Sequence, residues 1–223
     1  MVIQQVWQRV RASNKCIYAS DYFNDSIHRV ELSGSNAVIK WSVGRGPAGL
    51  TVSSDKNVMV VIQREHKLQQ FTTHGTLLQT IQLQSDIEWL QGVIQLFSGQ
   101  FVISLRGLTH HRVCLLDDKG AVVQSYGSTQ GSERTKLYCP KGIAVDKHGN
   151  ILVADNRLLV LDPSLTSVHE MSVSVDRRRK EPYSLWYDKS RGRLLISESY
   201  GKRVIIIDHL KDFTSLACVH LPA

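Results

Sequence analysis

The stretch Pro140-Lys141-Gly142-Ile143-Ala144-Val145-Asp146-Lys147-His148-Gly149-Asn150-Ile151-Leu152-Val153-Ala154-Asp155 decides the fold. Two short runs, 142–145 and 151–154, are too brief for helices and are rich in branched apolar residues. They flank Asp-Lys-His-Gly-Asn, in which Gly and Asn tolerate positive φ. That arrangement predicts an antiparallel hairpin. Downstream, Asn156-Arg157 makes a short corner, 158–161 reads as a third strand and 167–173 as a fourth.

The same four-strand reading extends in both directions. Turn-bounded apolar runs begin at Ile17, Val58, Phe101, Ile151 and Leu194, at steps of 41, 43, 50 and 43 residues. A period near 40–45 residues with four strands per unit predicts a β-propeller blade, whereas leucine-rich repeats are shorter and helical repeats need a 3.6-residue period. No such period is found. The predicted fold is therefore all-β: a propeller of four-stranded antiparallel blades, with five blades at about 3–43, 47–83, 90–126, 140–173 and 182–219, forming a single domain over 1–223. The last blade's strands are expected at 184–187, 194–197, 204–207 and 214–219. The first blade is expected to have a weak inner strand around 5–10.

The unit at 140–161 resembles the NHL repeat, in which Pro-x-Gly-Ile-Ala-Val-Asp, a Gly-containing turn and an apolar strand ending in Ala-Asp lead into Asn-x-Arg. Partial matches recur at Ile17–Asp21 with His28-Arg29-Val30, at Gly92-Val93 with His111-Arg112-Val113, and at Pro182, Asp188 and Gly192 with Lys202-Arg203-Val204. The unit at 47–83 keeps Pro47, Gly49, Asp55 and Asn57 but has no Arg before its third strand. The resemblance is to the C-terminal propellers of tripartite-motif ubiquitin ligases and Brain-tumor-type translational repressors. It implies a non-enzymatic domain that binds RNA or protein, here the substrate-recognition part of such a ligase. Relatives of that kind have six blades, so five imply a truncated or open ring. Neither zinc-ligand spacing nor a heptad run is present, so ligase activity is not expected of this chain.

Strand alternation alone gathers the loops between second and third strands, and the connections between blades, on one face. That face is basic. The expected RNA- or partner-binding residues are Arg45, Arg64, Lys136, Tyr138, Arg177, Arg178, Arg179, Lys180, Tyr200 and Lys202, which combine phosphate-contacting cations with rings able to stack on bases. The arginines that open the third strands (Arg29, Arg112, Arg157, Arg203) are expected to make the same inter-blade hydrogen bonds or ion pair in each unit, with the acids that end the second strands, Asp21, Asp155 and Glu198, as candidate partners. Trp41, Trp89, Trp186 and Phe71 are read as packing between sheets, and an open ring would expose Trp186 and favour self-association.

Composition narrows the function further. The 223 residues carry a formal charge of +7, which favours polyanionic partners. Four scattered cysteines form no metal knuckle and predict free thiols in a cytoplasmic protein. No apolar run is long enough for a membrane span, and no secretory signal is evident. No nucleophile elbow, phosphate loop or zinc-protease motif occurs, so no catalytic residue, metal or cofactor is assigned. The competing class is a metal-dependent hydrolase or lyase of six-bladed type, with Asp21, Asp155, Asn156 and Glu198 lining a central channel.

Overall fold

The computed structural model describes residues 7–13, 16–32, 37–53, 55–87, 89–107, 111–128, 137–171, 181–198, 204–208 and 219–220. The fold is an all-β propeller of five blades with almost no helix. The first sheet comprises β1 (Trp7–Ser13), β2 (Cys16–Asp21), β3 (Ser26–Glu31) and β4 (Val38–Ser42). The second has β5 (Pro47–Val52), β6 (Val58–Ile62), β7 (Lys67–Phe71) and β8 (Leu77–Gln82). The third has β9 (Leu90–Gln95), β10 (Phe101–Arg106), β11 (His111–Leu116) and β12 (Val122–Ser128). Each meanders outward in chain order.

The fourth sheet holds β13 (Gly142–Val145), β14 (Ile151–Ala154), β15 (Leu158–Leu161) and β16 (Ser167–Met171). The fifth has three strands, β17 (Pro182–Asp188), β18 (Arg193–Glu198) and β19 (Val204–Ile207). The last strand, β20 (Val219–His220), departs from the expected order. It pairs with β16 on the fourth sheet, Val168 opposite Val219 and Ser167 opposite His220, instead of closing the fifth. An outer strand presents unpaired N–H and C=O groups, and β16 offers such an edge. The rest of the expected outer strand, 214–218, lies outside the described residues.

Two compact units divide the chain: Met1–Phe101 with Leu116–Ala121, and Val102–Leu115 with Val122–Ala223. In the first unit, Tyr18, Ile27, Leu50, Val58, Val60, Ile62 and Phe71 form an apolar cluster between the first and second sheets. Trp41 joins it, edge-on to Tyr18 at 6.4 Å and tilted against Phe71 at 6.3 Å, as the sequence predicts. In the second unit, Ala144, Leu152, Leu158, Val160, Leu185, Leu194 and Ile196 do the same between the fourth and fifth sheets. Strands buried on both faces need continuous apolar runs, which is why Val58–Ile62 and Ile151–Ala154 lack alternation.

The Pro-x-Gly element has a packing cause. A Cβ on Gly142 would lie 2.6 Å from the Tyr183 carbonyl oxygen and 2.8 Å from Ser184 Cα. One on Gly49 would collide with the Gln91 carbonyl. Inner strands of successive sheets approach backbone to backbone at these points. A serine one strand further out adds a tie: Ser20 Oγ donates to the Ala48 carbonyl at 2.9 Å, and Ser104 Oγ to the Lys141 carbonyl at 3.2 Å.

Candidate binding surface

In the first unit, the β2–β3 loop, the β4–β5 connection and the one-turn 3-10 segment Gln63–Glu65 after β6 are knitted together. Gly46 N–H donates to Asp25 Oδ1 at 2.8 Å and Gln63 N–H to the Gly46 carbonyl at 3.0 Å. Arg45 N–H donates to Glu65 Oε1, and Lys67 pairs with the same carboxylate. The Lys67 ammonium and the Arg45 N–H hold the Glu65 carboxyl below the ordinary range. Lys67 is thereby neutralised. Arg45 and Arg64 are exposed, and the charge of Arg45 adds to the pull on the Glu65 carboxylate. The Arg64 guanidinium lies 5.0 Å from the Tyr22 ring centroid, a cation–π distance. Phe23, edge-on to Tyr22 at 5.4 Å, is 66% exposed.

This surface extends toward β9. Gln63 Nε2 donates to the Leu90 carbonyl at 3.2 Å, and the His66 ring nitrogen bonds the Ile87 carbonyl at 2.8 Å. Between those anchors stands Trp89, 51% exposed at φ 52°. Sequence reasoning placed Trp89 between sheets, and the structure puts it in solvent. An aromatic residue in the left-handed region is strained, and that strain persists only where neighbours fix the backbone. Its position one residue before the strand was the available signal, because the apolar alternation of β9 starts at Leu90.

The second unit holds a separate group. Asp155, ending β14, is almost fully buried. Its carboxylate accepts Tyr138 N–H at 3.0 Å and Cys139 N–H at 2.5 Å. Burial nonetheless pushes its carboxyl above the usual range. The clamp projects Tyr138, which is 67% exposed and stacked on His111 at 6.3 Å and 28°. Lys141 below is paired with Glu181 at 2.9 Å and sits 5.6 Å from the Tyr183 ring centroid.

Two of the arginines that open third strands bond acids other than those ending the second strands, although the Arg157 charge also acts on Asp155. Arg29 Nη2 donates to Glu31 at 2.9 Å along its own strand, and Arg157 Nη1 to Glu170 on β16 at 2.9 Å. Asp21 instead accepts Asn24 N–H at 3.2 Å and Asn24 Nδ2 at 2.8 Å, and Asp155 holds the backbone of 138–139. Those acids sit where loop N–H groups need acceptors. Among the described residues, no group of three or more His, Cys, Asp or Glu is arranged to hold a metal ion. Also among the described residues, no helix is long and apolar enough to cross a membrane.

Of the expected binding residues, Arg45 and Arg64 meet in the first unit and Tyr138 stands in the second. Lys136, Arg177, Arg178, Arg179, Lys180, Tyr200 and Lys202 lie outside the described residues, as does Arg203.

Residues 137–163 match the NHL repeat family model. No curated protein matches the sequence. Several solved structures share the fold. Selenomethionine-substituted virginiamycin B lyase from Staphylococcus aureus has a TM-score of 0.65 at 16% identity, over 95% of this chain and 68% of that one. The WD40 propeller domain of Doa1 gives 0.64 at 9% identity, over 91% and 63%. A chain of a nidogen/laminin complex gives 0.67 at 15% identity, over 87% and 72%. At such identities the likeness is one of fold. The chain is thus a β-propeller that contains an NHL repeat.

Proposed function

We propose that this propeller is a non-catalytic binding module whose basic loops contact single-stranded RNA. The observation that carries the reading is the first-unit cluster: two exposed guanidiniums, one lying on Tyr22, beside solvent-facing Phe23 and Trp89. Arginines bind phosphate oxygens bidentately, and exposed rings stack on unpaired bases regardless of sequence. An NHL-type repeat similar to those of Brain-tumor-type repressors is in keeping with this role. Asp21 and Asp155 accept backbone N–H groups and Glu65 holds Lys67, which leaves the arginines as the exposed charges of this surface.

The test is fluorescence anisotropy of a labelled single-stranded RNA pool titrated with protein at several salt concentrations. Replacing both Arg45 and Arg64 with Ser removes two phosphate contacts. The logarithmic salt slope is expected to shrink by about 1.4, roughly 0.7 per contact on a single strand. Phe23→Ala and Trp89→Ala are expected to weaken binding with the slope unchanged. An unchanged slope in the double arginine variant overturns the reading. If nuclease treatment leaves co-purified partners in place, the ligand is a protein instead.

A further inference from the structure

The second unit carries an aromatic surface that the first-unit cluster does not use. Tyr138, just before β13, is 67% exposed. One face of its ring stacks on His111 at 6.3 Å and 28°, which leaves the other face to solvent. Its backbone is fixed as well. The Asp155 carboxylate accepts the Tyr138 N–H at 3.0 Å and the Cys139 N–H at 2.5 Å. An exposed ring on an unanchored loop loses rotamer and backbone freedom when something packs on it. Tyr138 is held from below by a carboxylate and from one side by a second ring, so little freedom is left to lose.

A cation stands beside the ring. Ser104 Oγ donates to the Lys141 carbonyl at 3.2 Å, which brings the end of β10 against the segment leading into β13. Arg106 ends β10 two residues further on, so it points to the same side as Ser104, and it is exposed. Burial pushes the Cys139 thiol up, and the Arg106 charge acts against that rise. The guanidinium is therefore within electrostatic reach of the residue next to Tyr138. The acids nearby are engaged: Asp155 accepts backbone N–H groups, and Glu181 is bonded to Lys141 at 2.9 Å.

We propose that the open face of Tyr138 stacks on one unpaired nucleobase while Arg106 contacts a phosphate of the same strand. The proposal rests on the reading above that the ligand is single-stranded RNA, and it adds a contact site in the other unit. The chemistry selects this occupant. A base extends the His111–Tyr138 stack by one more flat ring, and a guanidinium beside the stack takes phosphate oxygens. A sugar ring also lies on tyrosine, but its hydroxyls need acceptors around the rim, and the carboxylates of Asp155 and Glu181 are bonded elsewhere. An apolar side chain of a protein partner needs a pocket to fill, and Tyr138 projects from the surface.

The test compares, by fluorescence anisotropy, a labelled single-stranded RNA with an abasic strand of the same length, which keeps the phosphates and lacks the bases. Tyr138→Ala, at an exposed side chain, is expected to keep the circular dichroism spectrum. It is expected to weaken RNA binding about tenfold and to leave binding of the abasic strand unchanged. Tyr138→Phe, which keeps the ring, is expected to stay within about twofold of the wild type. Arg106→Gln is expected to reduce the logarithmic salt slope by about 0.7. Near-ultraviolet irradiation of a bound thiouridine-substituted RNA is expected to cross-link Tyr138, mapped by mass spectrometry. The two readings fail separately. A base-dependent loss in Tyr138→Ala supports this site even if the slope is unchanged when Arg45 and Arg64 are replaced, a result that removes the first-unit contacts alone. RNA affinity untouched by Tyr138→Ala, or an equal loss on the abasic strand, overturns this site and leaves the first-unit contacts standing. A wild-type protein that binds no RNA overturns both.

Discussion

Replacing Gly142 with alanine adds one methyl group where two backbones meet. That methyl would sit 2.6 Å from the Tyr183 carbonyl oxygen, 2.8 Å from Ser184 Cα and 3.0 Å from Leu185 N. All three neighbours are backbone atoms of β17, so no rotamer change relieves the clash. Restoring ordinary contact requires β13 and β17 to part by roughly 0.8 Å, which loosens the apolar layer of Leu152, Leu158, Leu185 and Leu194 beside it. Overpacking of this kind costs about 1–3 kcal/mol. In a chain of this size that lowers the melting temperature by about 2–4 °C per kcal/mol, so a fall of about 2–12 °C is expected by differential scanning calorimetry. Ser184→Gly is the control. It stands at the corresponding position of the fifth sheet, where a side chain already fits, and the expected change is only the strand cost of glycine, about 0.5–1 kcal/mol. If Gly142→Ala melts within 1 °C of the wild type, the close approach of inner strands is not what selects glycine there.

Asp155→Ala leaves two N–H groups, those of Tyr138 and Cys139, without their acceptor, and a loss of about 2 kcal/mol in urea unfolding is expected. Asp155→Asn keeps an acceptor and removes a buried charge, so it is expected to cost less than half as much. Because burial raises the Asp155 carboxyl, the folded state takes up its proton first, and this group makes the protein more stable as pH falls toward 3.8. Asp162 acts in the opposite sense. Partial burial works against its ionisation, but donors from Ser164, Thr166 and Ser167 prevail and bring its pKa to about 2. Its contribution is complete above pH 3.8 and is lost as pH falls through about 2. On an exposed turn, screening limits it to about 1 kcal/mol, and in acid titrations of stability Asp162→Asn is expected to flatten that limb.

The blade register was legible because it follows from local chemistry. Ile151–Ala154 and Leu158–Leu161 are bounded by turn residues on both sides, and their observed limits match the sequence reading. The association of Arg45 with the Gln63–Glu65 segment was legible as far as topology goes, since alternation places both at the same end of their strands. What escaped was direction. Nothing in the sequence says that Asp155 takes its hydrogen bonds from the backbone of 138–139, because a carboxylate suits a guanidinium as well as an N–H. The exposure of Trp89 was hidden too: an indole beside an apolar strand looks like core until the backbone before it is known to be left-handed. The pairing of β20 with β16 depends on an edge left open far away in sequence, which no local pattern encodes.

Repeat proteins make a comparison possible that single folds do not, because each position is sampled several times in one chain. Glycine appears at 49 and 142, where backbone from the following sheet lies within a methyl's reach, and serine appears at 184 in the sheet whose far face is bare. Serine hydroxyls at 20 and 104 reach outward to a neighbour, and that of 197 turns inward. The same residue therefore changes character according to what stands beside its blade. Neither device is obligatory: the first sheet packs on the second without a glycine in β1, and the fourth packs on the fifth with Ala154 where Ser20 and Ser104 stand.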